Sequence, residues 1–199
     1  MRPRLIAITE ASVASGEQLL ERTARLLAAA RPGSVLVQLR DRQLPVRERL
    51  DLGRALRRLT QHYDQPLAVN DRLDLALLLE ADALHLGERS VLADDARRVW
   101  GNRFISRACH EPERATLSGA DAVVLAPVLA PRKGAPALGP EGLRVARGRV
   151  GSGLLYALGG VDADGAPGCL EAGADGVAAI GAAFGGSDPT PLLRAAGAV

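Results

Sequence analysis

Aromatic side chains are scarce in this sequence. Two Phe, two Tyr and one Trp make up 3% of 199 residues, although hydrophobic residues make up 47%. A core with so few aromatics has to be built from Leu, Val, Ile and Ala, which is typical of buried parallel strands. The shortage argues against modules that stack nucleobases on aromatic rings. At this length, the composition favours one α/β domain.

The sequence also contains few lysines and cysteines, and its net charge is small. Of the 25 basic residues only Lys133 is a lysine, and the formal net charge is +2. So small a charge provides no strong field for nucleic acid. Arginine cannot replace lysine as a compact, titratable ammonium, so Lys133 is a functional candidate. Cys109 and Cys169 lack metal or redox spacing and are expected to be reduced and buried.

Long hydrophobic runs are missing as well. The apolar stretch at residues 5–8 is too short for the core of a signal peptide, and no run approaches the length of a membrane span. We therefore expect a cytoplasmic protein, with neither a membrane nor nucleic acid among its partners.

A junction built on Ala-Asp recurs three times. In each copy a helical stretch leads through an Ala-Asp turn into a short apolar strand, at residues 80–86, 119–125 and 173–180. Small residues let a helix end pack closely against the next strand, and the apolar run suits a strand buried on both faces. The repetition indicates βα units wound around a parallel sheet. Asp82, Asp121 and Asp175 would lie at strand starts, where a structural role is expected.

Strands and helices alternate along the whole chain. Strands are predicted at residues 5–9, 34–39, 67–69, 83–86, 104–108, 122–125, 154–158 and 177–180. Helices are predicted between them, at residues 16–30, 46–63, 72–80, 92–100, 112–118 and 141–147. This alternation predicts a (β/α)8 TIM barrel, with residues 1–199 as a single domain. The alternative is a doubly wound open sheet, but its Gly-rich phosphate turn is missing after the first strand.

The residues that follow the predicted strands are rich in polar groups and glycine. They are Gln38, Arg40, Arg42, Asn70, Asp71, Gly87, Glu88, Ser90, Cys109, His110, Lys133, Gly159, Gly160 and Gly181. In a barrel these positions share one mouth, and the last two strand ends commonly bind phosphate. The sequence therefore predicts a phosphorylated small molecule as the ligand. His85, inside a strand, is expected to be a hydrogen-bonded core or rim residue rather than a catalyst.

Five segments resemble the thiamine-phosphate synthase and TenI family. They are Gln-Leu-Arg-Asp-Arg at 38–42, Val-Asn-Asp-Arg-Leu-Asp-Leu-Ala at 69–76, Ala-Asp-Ala-Leu-His-Leu-Gly at 81–87, Gly-Ala-Pro-Ala-Leu-Gly at 134–139 and Ala-Leu-Gly-Gly-Val at 157–161. They follow the family's order over nearly the whole chain. The resemblance implies a TIM-barrel enzyme of thiamine biosynthesis that binds a thiazole phosphate.

In a family synthase, pyrophosphate leaves an aminopyrimidine and the thiazole nitrogen attacks the resulting cation. The resemblance assigns Gln38 and Arg40 to the pyrimidine and its pyrophosphate. It assigns Asp71 to Mg²⁺ and Lys133 to the leaving pyrophosphate. The remaining candidates for substrate and phosphate binding are Arg42, Asn70, Gly159, Gly160 and Gly181.

Several positions depart from the synthase pattern. The Gln-x-Asp run expected after His-Leu-Gly is Glu-Arg-Ser at 88–90, so the second carboxylate for Mg²⁺ is missing, and the lysine expected two places after Arg40 is Arg42. The serine expected at the end of the fifth strand is Ala108, and a Thr-x-Thr run has become Ala-Pro-Arg at 130–132. Each change removes a donor or ligand for pyrophosphate. One carboxylate with phosphate oxygens still suffices for a weaker Mg²⁺ site.

Some of the same positions resemble the TenI branch, whose members are thiazole tautomerases. Arg42, Ser90 and the Arg-x-x-His run that ends at His110 match that branch. The reaction moves a proton without metal or pyrophosphate, and His110 would be its general acid/base. A TenI-like tautomerase without cofactor is thus the preferred interpretation. A divergent Mg²⁺-dependent synthase and a non-catalytic paralogue that binds precursors are the alternatives, and a homo-oligomer is left open.

Overall fold

The computed structural model describes residues 1–132 and 134–199, and in them eight parallel strands close into a barrel. Each strand pairs with the next in chain order, and the last pairs with the first. The strands are β1 (Leu5–Ile8), β2 (Val35–Leu39), β3 (Leu67–Asn70), β4 (Ala83–Leu86), β5 (Phe104–Cys109), β6 (Ala122–Leu125), β7 (Leu154–Leu158) and β8 (Gly176–Ala179). The predicted (β/α)8 barrel is confirmed, and the open doubly wound sheet is wrong.

Helices surround the barrel. They are α1 (Gly16–Ala28), α2 (Val46–His62), α3 (Leu73–Leu78), α4 (Ala93–Trp100), α5 (Gly139–Val150), α6 (Ala166–Glu171), α7 (Gly181–Phe184) and α8 (Thr190–Ala196). None of the helices in the described part of the chain combines the length and the apolar character that a membrane span requires.

The helix predicted at residues 112–118 is wrong. Only a 3-10 turn forms there, Pro112–Arg114. Beyond it the Thr116 and Ser118 hydroxyls hydrogen-bond each other at 2.7 Å, and Ser118 has a φ of +43°. Ser and Thr side chains that bond locally compete with helical hydrogen bonds, so this connection stays irregular.

The core has two layers, because side chains alternate along each strand. Outward-facing Leu, Val and Ala pack against the helices. The inward-facing set that fills the barrel consists mostly of small and aliphatic side chains, with Phe104 and Tyr156 as its two aromatics. The Tyr156 hydroxyl donates to the Pro3 carbonyl at 2.9 Å, which fixes the chain start under the barrel.

The three aspartates of the repeated junction have one structural role. Each carboxylate accepts a backbone N–H from the preceding strand and pairs with an arginine of the helix before that strand. The sets are Asp82 with Leu67 and Arg57, Asp121 with Ile105 and Arg97, and Asp175 with Leu155 and Arg147. The predicted structural role at the amino-terminal face of the barrel is confirmed.

Candidate active site

Polar side chains replace apolar ones in the barrel interior just below the carboxyl mouth. Gln38, Asn70, His85 and Ser106 follow inward-facing apolar residues by two positions on β2, β3, β4 and β5, and all four are buried. Gln38 Nε2 donates to Asn70 Oδ1 at 3.3 Å. His85 Nδ1 lies 2.9 Å from Ser106 Oγ, so the expectation of a hydrogen-bonded core histidine is confirmed.

Burial sets the charge state of this layer. It lowers the pKa of His85 to about 4, although the nearby Asp71 carboxylate favours the charged form. The imidazole is therefore neutral near pH 7. Sequence reasoning missed Ser106, although a polar residue at an inward position in register with His85 was a readable signal.

Asp71 follows β3 and is the most connected carboxylate of the mouth. Its Oδ1 accepts from the Gly87 N–H at 3.0 Å and from the Ser90 hydroxyl. Its Oδ2 accepts from Asn70 Nδ2 at 2.8 Å and from the Arg42 guanidinium at 3.0 Å. Burial alone would raise the pKa of Asp71, but the donors and the arginine charge outweigh it and lower that pKa. The carboxylate is thus ionised near neutral pH.

The two predicted arginines after β2 have different surroundings. Arg42 joins Asp71, and its guanidinium also lies 3.5 Å from Asn70 Oδ1. Arg40 instead pairs with Glu10, which follows β1, and its backbone N–H donates to Thr9 Oγ1 at 3.0 Å. Sequence reasoning missed Glu10, because nothing local links it to a residue thirty positions further on. Arg42, Asn70, Asp71 and Gln38 therefore form one cluster, with Arg40 at its edge.

His110 lies at the rim with a carboxylate partner. Its Nδ1 is 2.9 Å from Glu88 Oε2, and its backbone N–H donates to Glu88 Oε1 at 2.9 Å. Both side chains are about half exposed. A carboxylate on Nδ1 orients the ring and leaves Nε2 for proton transfer. The sequence predicted His110 but not this partner.

A cavity of about 310 Å³ lies at the ends of β7 and β8. Its wall includes the three predicted glycines, Gly159, Gly160 and Gly181. A Cβ on Gly159 would lie 2.9 Å from Pro127 Cα, and one on Gly160 would lie 2.5 Å from Ala130 Cβ. Both glycines have positive φ, +105° and +73°. Glycine is thus required here by the loop that follows β6, independently of any ligand.

A larger cavity, of about 790 Å³, lies at the opposite end of the barrel. Its wall includes the structural pair Arg57 and Asp82 and the first two residues of the chain. In the described chain, none of the predicted site residues lines it. Since TIM-barrel active sites form at the carboxyl ends of strands, size does not identify the functional cavity here.

Lys133 lies outside the described residues, so its role stays a prediction. The two cysteines, in contrast, are free and buried as expected. Burial raises the pKa of the Cys109 thiol and raises that of Cys169 to about 11. Neither thiol is therefore an activated nucleophile.

Asp71 is the carboxylate best placed to hold a magnesium ion. The Ser90 hydroxyl touches it where the resemblance expects a second carboxylate, and Glu88 is engaged by His110. Within residues 1–132 and 134–199, no three His, Cys, Asp or Glu side chains form a group that could hold a metal. One carboxylate and one hydroxyl fit Mg²⁺ when substrate phosphates complete its coordination, which is a usual mode for this ion.

Comparison with known proteins gives a consistent result. The family described as thiamine monophosphate synthase matches residues 5–183. The thiamine-phosphate synthase of Moorella thermoacetica is 36% identical over 198 residues, covering 96% of this chain and 92% of that protein. The thiamine-phosphate synthase of Thermus thermophilus is 36% identical over 184 residues, covering 90% of this chain and 87% of that protein.

A solved structure agrees. The thiamine phosphate pyrophosphorylase of Pyrococcus furiosus superposes with a TM-score of 0.86 at 30% identity, covering 98% of this chain and 97% of that one. The chain therefore belongs to the thiamine monophosphate synthase family and is an enzyme of the thiamine pathway.

Proposed function

We propose that the chain is a thiamine-phosphate synthase, which joins an aminopyrimidine pyrophosphate to a thiazole phosphate and releases pyrophosphate. The tautomerase interpretation preferred from the sequence is less well supported, because the named relatives are synthases. The observation that carries the proposal is the ionised Asp71 held beside Arg42. Proton transfer on a thiazole needs no such group, whereas a diphosphate with Mg²⁺ does.

In the proposed reaction one bond breaks and one bond forms, and no proton is transferred. The bond between the pyrimidine methylene carbon and the diphosphate oxygen breaks, and its electron pair leaves with the oxygen. The thiazole nitrogen then donates its lone pair to that carbon. Gln38 and Asn70 would orient the pyrimidine through their amides, and Arg42 would turn from Asp71 to the diphosphate.

Asp71 and the Ser90 hydroxyl would hold Mg²⁺ together with diphosphate oxygens. When bound, the ion offsets the charge that develops on the leaving group. The cavity at Gly159, Gly160 and Gly181 would take the thiazole phosphate. Small phosphorylated substrates therefore account both for the cluster around Asp71 and for the cavity at Gly159, Gly160 and Gly181.

The test is release of pyrophosphate by the purified chain with both substrates and Mg²⁺. We expect turnover that EDTA abolishes and that Asp71→Asn lowers about 100-fold or more, the range seen when an electrostatic contact to a reacting group is lost. Asp74→Asn is the matched control, since Asp74 is an exposed residue of α3 that pairs with Arg72. Wild-type protein that binds both substrates but releases no pyrophosphate would contradict the proposal.

A further variant examines the metal position. Ser90→Asp restores the second carboxylate beside Asp71, so we expect it to lower the Mg²⁺ concentration that gives half-maximal rate. An unchanged Mg²⁺ dependence would argue against Asp71 and Ser90 as the ion's protein ligands.

A second activity is favoured by one specific observation, the contact between His110 Nδ1 and Glu88 at 2.9 Å. That geometry suits a general acid/base, so the tautomerase reaction stays a candidate. Aromatisation of a carboxythiazole phosphate, followed by ultraviolet absorbance, tests it. Loss of this activity in His110→Asn but not in His62→Asn, an exposed position on α2, would support the tautomerase. If the protein binds these precursors but catalyses neither reaction, the non-catalytic paralogue is the interpretation that remains.

A further inference from the structure

Arg132 lines the phosphate cavity at β7 and β8, although no role follows for it from the family pattern. The cavity wall is otherwise made of small and apolar residues and one carboxylate: Leu158, Gly159, Gly160, Val161, Asp162, Ala178, Ala179, Ile180, Gly181 and Ala182. Arg132 is thus the one cation among the described residues of this wall. It occupies the run where the synthase pattern has Thr-x-Thr.

The charge of the expected ligand makes this cation important. A phosphate monoester carries a charge of about −1.5 to −2 near neutral pH. Backbone N–H groups at glycines provide partial charges only. The Asp162 carboxylate is already engaged, since its Oδ1 accepts from the Asp164 N–H at 3.1 Å and the Gly165 N–H at 2.9 Å. The described wall therefore has one full positive charge, on Arg132, and one carboxylate, Asp162, whose Oδ1 is bonded within its own loop.

The backbone on both sides of the loop fixes where Arg132 lies. The Leu129 and Ala130 N–H groups both donate to the Gly159 carbonyl, at 2.8 and 3.1 Å. Arg132 and Ala135 exchange two backbone hydrogen bonds, of 3.0 and 2.9 Å. The bonds to the Gly159 carbonyl fix the start of the loop to the turn after β7. The bonds between Arg132 and Ala135 hold the two sides of the loop together. These backbone contacts hold Arg132 in the wall of the cavity.

We propose that Arg132 binds the phosphate of the thiazole substrate and makes the enzyme select the phosphate ester over the free alcohol. A guanidinium can bind two phosphate oxygens at once, which suits recognition of a monoester. The inference rests on the proposed synthase function for its substrate, but its test includes binding without turnover.

The experiment compares Arg132→Ala, Arg132→Lys and the control Arg149→Ala, an exposed arginine on α5. Calorimetry measures binding of the thiazole phosphate and of the thiazole alcohol to each protein. Steady-state assays measure KM for each substrate. We expect Arg132→Ala to weaken binding of the phosphate about 10- to 100-fold, as for a lost charge-assisted hydrogen bond.

Binding of the alcohol and KM for the pyrimidine pyrophosphate should change less than twofold in Arg132→Ala. Arg132→Lys should regain part of the phosphate affinity, and Arg149→Ala should behave as the wild type. Equal phosphate affinity in Arg132→Ala and Arg149→Ala would overturn the proposal. So would an equal loss for phosphate and alcohol, because that indicates a damaged loop.

The two proposals fail in different ways. If the wild type binds the thiazole phosphate through Arg132 but releases no pyrophosphate, the synthase function fails and the role of Arg132 stands. If pyrophosphate is released normally and Arg132→Ala binds the phosphate as the wild type does, only the role of Arg132 fails.

Discussion

At Gly160, packing against the loop that follows β6 leaves room only for glycine. Its φ is +73°, and a Cβ would approach Ala130 Cβ to 2.5 Å and the Ala130 nitrogen to 2.8 Å. Neither neighbour is the far end of a flexible side chain, so relief requires backbone movement. The same loop carries Arg132, and a displaced loop would therefore change the cavity at Gly159, Gly160 and Gly181 as well.

We expect Gly160→Ala to lower the free energy of unfolding by about 1–3 kcal/mol, because alanine is strained at positive φ. It should also raise KM for the thiazole phosphate. Urea denaturation and steady-state kinetics measure the two effects. Gly148→Ala on α5 is the control, since nothing lies within 4 Å of its added Cβ. There alanine should stabilise by about 0.5–1 kcal/mol, and equal effects of the two variants would contradict the argument.

His85 makes the stability of the fold depend on pH. Burial lowers its pKa to about 4, whereas an unfolded histidine has a pKa of about 6.5. The unfolded chain therefore binds this proton more readily, so the stability from neutral His85 is complete above pH 6.5 and is lost as pH falls toward 4. Between pH 7 and pH 5 we expect a loss of about 2 kcal/mol.

Urea denaturation at the two pH values measures this difference. In His85→Gln the loss should be smaller by about 2 kcal/mol, because the titrating group is gone. His62→Gln, at an exposed position, should retain the full pH dependence. A wild-type protein whose stability does not change between pH 7 and pH 5 would rule out a buried neutral His85.

At the residue scale, the sequence revealed which polar side chains lie at the strand ends but not which partners those side chains contact. Gln38, Asn70 and Asp71 were identifiable, because polar residues at strand ends depart from the apolar pattern. The partners of Arg40 and His110 were not, since Glu10 and Glu88 lie thirty and twenty-two positions away. Such pairs depend on strand order and loop shape, which single positions do not encode.

At the scale of elements, the recurring Ala-Asp junction reports a fixed connection between two strands and a helix. Asp121 shows the arrangement: it accepts from Ile105 on β5 at 2.7 Å and from Arg97 on α4 at 2.7 Å. The same arrangement joins β3 to β4 and β7 to β8. Strands β4, β6 and β8 were predictable from this repeat, whereas the 3-10 turn at Pro112–Arg114 was not, because local hydroxyl contacts decide it.

One helix residue supports the loop that carries the predicted arginines. Arg49 on α2 is buried, and its guanidinium donates to the carbonyls of Arg42 at 2.6 Å and Leu44 at 3.1 Å. It touches no substrate position and is a positioning residue. By holding these two carbonyls, it fixes the backbone from which Arg42 reaches Asp71.

We expect Arg49→Lys to raise KM for the aminopyrimidine pyrophosphate and to lower kcat, together about 5- to 30-fold in kcat/KM. The lysine side chain ends one bond short of the Arg49 Nη2 atom, which donates to both carbonyls. KM for the thiazole phosphate should stay unchanged. Arg47→Lys, exposed on the same helix, is the control. A loss that affects both substrates equally would indicate general destabilisation and contradict the positioning role.

At the scale of the whole molecule, the order of eight strands was predictable, but closure was an inference from their number. The strands are four to six residues long, and the inside is filled largely by alanine and aliphatic side chains. Small interior residues are consistent with the scarcity of aromatics. Closure itself depends on β8 pairing with β1, a contact between residues more than 170 positions apart.

The C-terminal helix α8 packs against the rest of the barrel, although the family match ends at residue 183. Leu193 on α8 is fully buried, and the Ala198 carbonyl accepts from the Arg31 N–H at 2.8 Å and from Ser34 Oγ at 2.8 Å. These contacts join the end of the chain to the turn before β2. A further contact, from Arg4 Nε to the Ala196 carbonyl at 3.1 Å, joins the end of α8 to the residues just before β1.

We expect Leu193→Ala to lower the free energy of unfolding by about 2–5 kcal/mol, the usual range for a cavity left by a buried leucine. Removal of residues 190–199 should abolish the single cooperative transition, because that loss approaches the whole stability of a domain. Urea denaturation followed by circular dichroism measures both. Val199→Ala, half exposed at the terminus, should change stability by less than about 0.5 kcal/mol. A truncated chain that unfolds cooperatively at the wild-type midpoint would show that the barrel closes without α8.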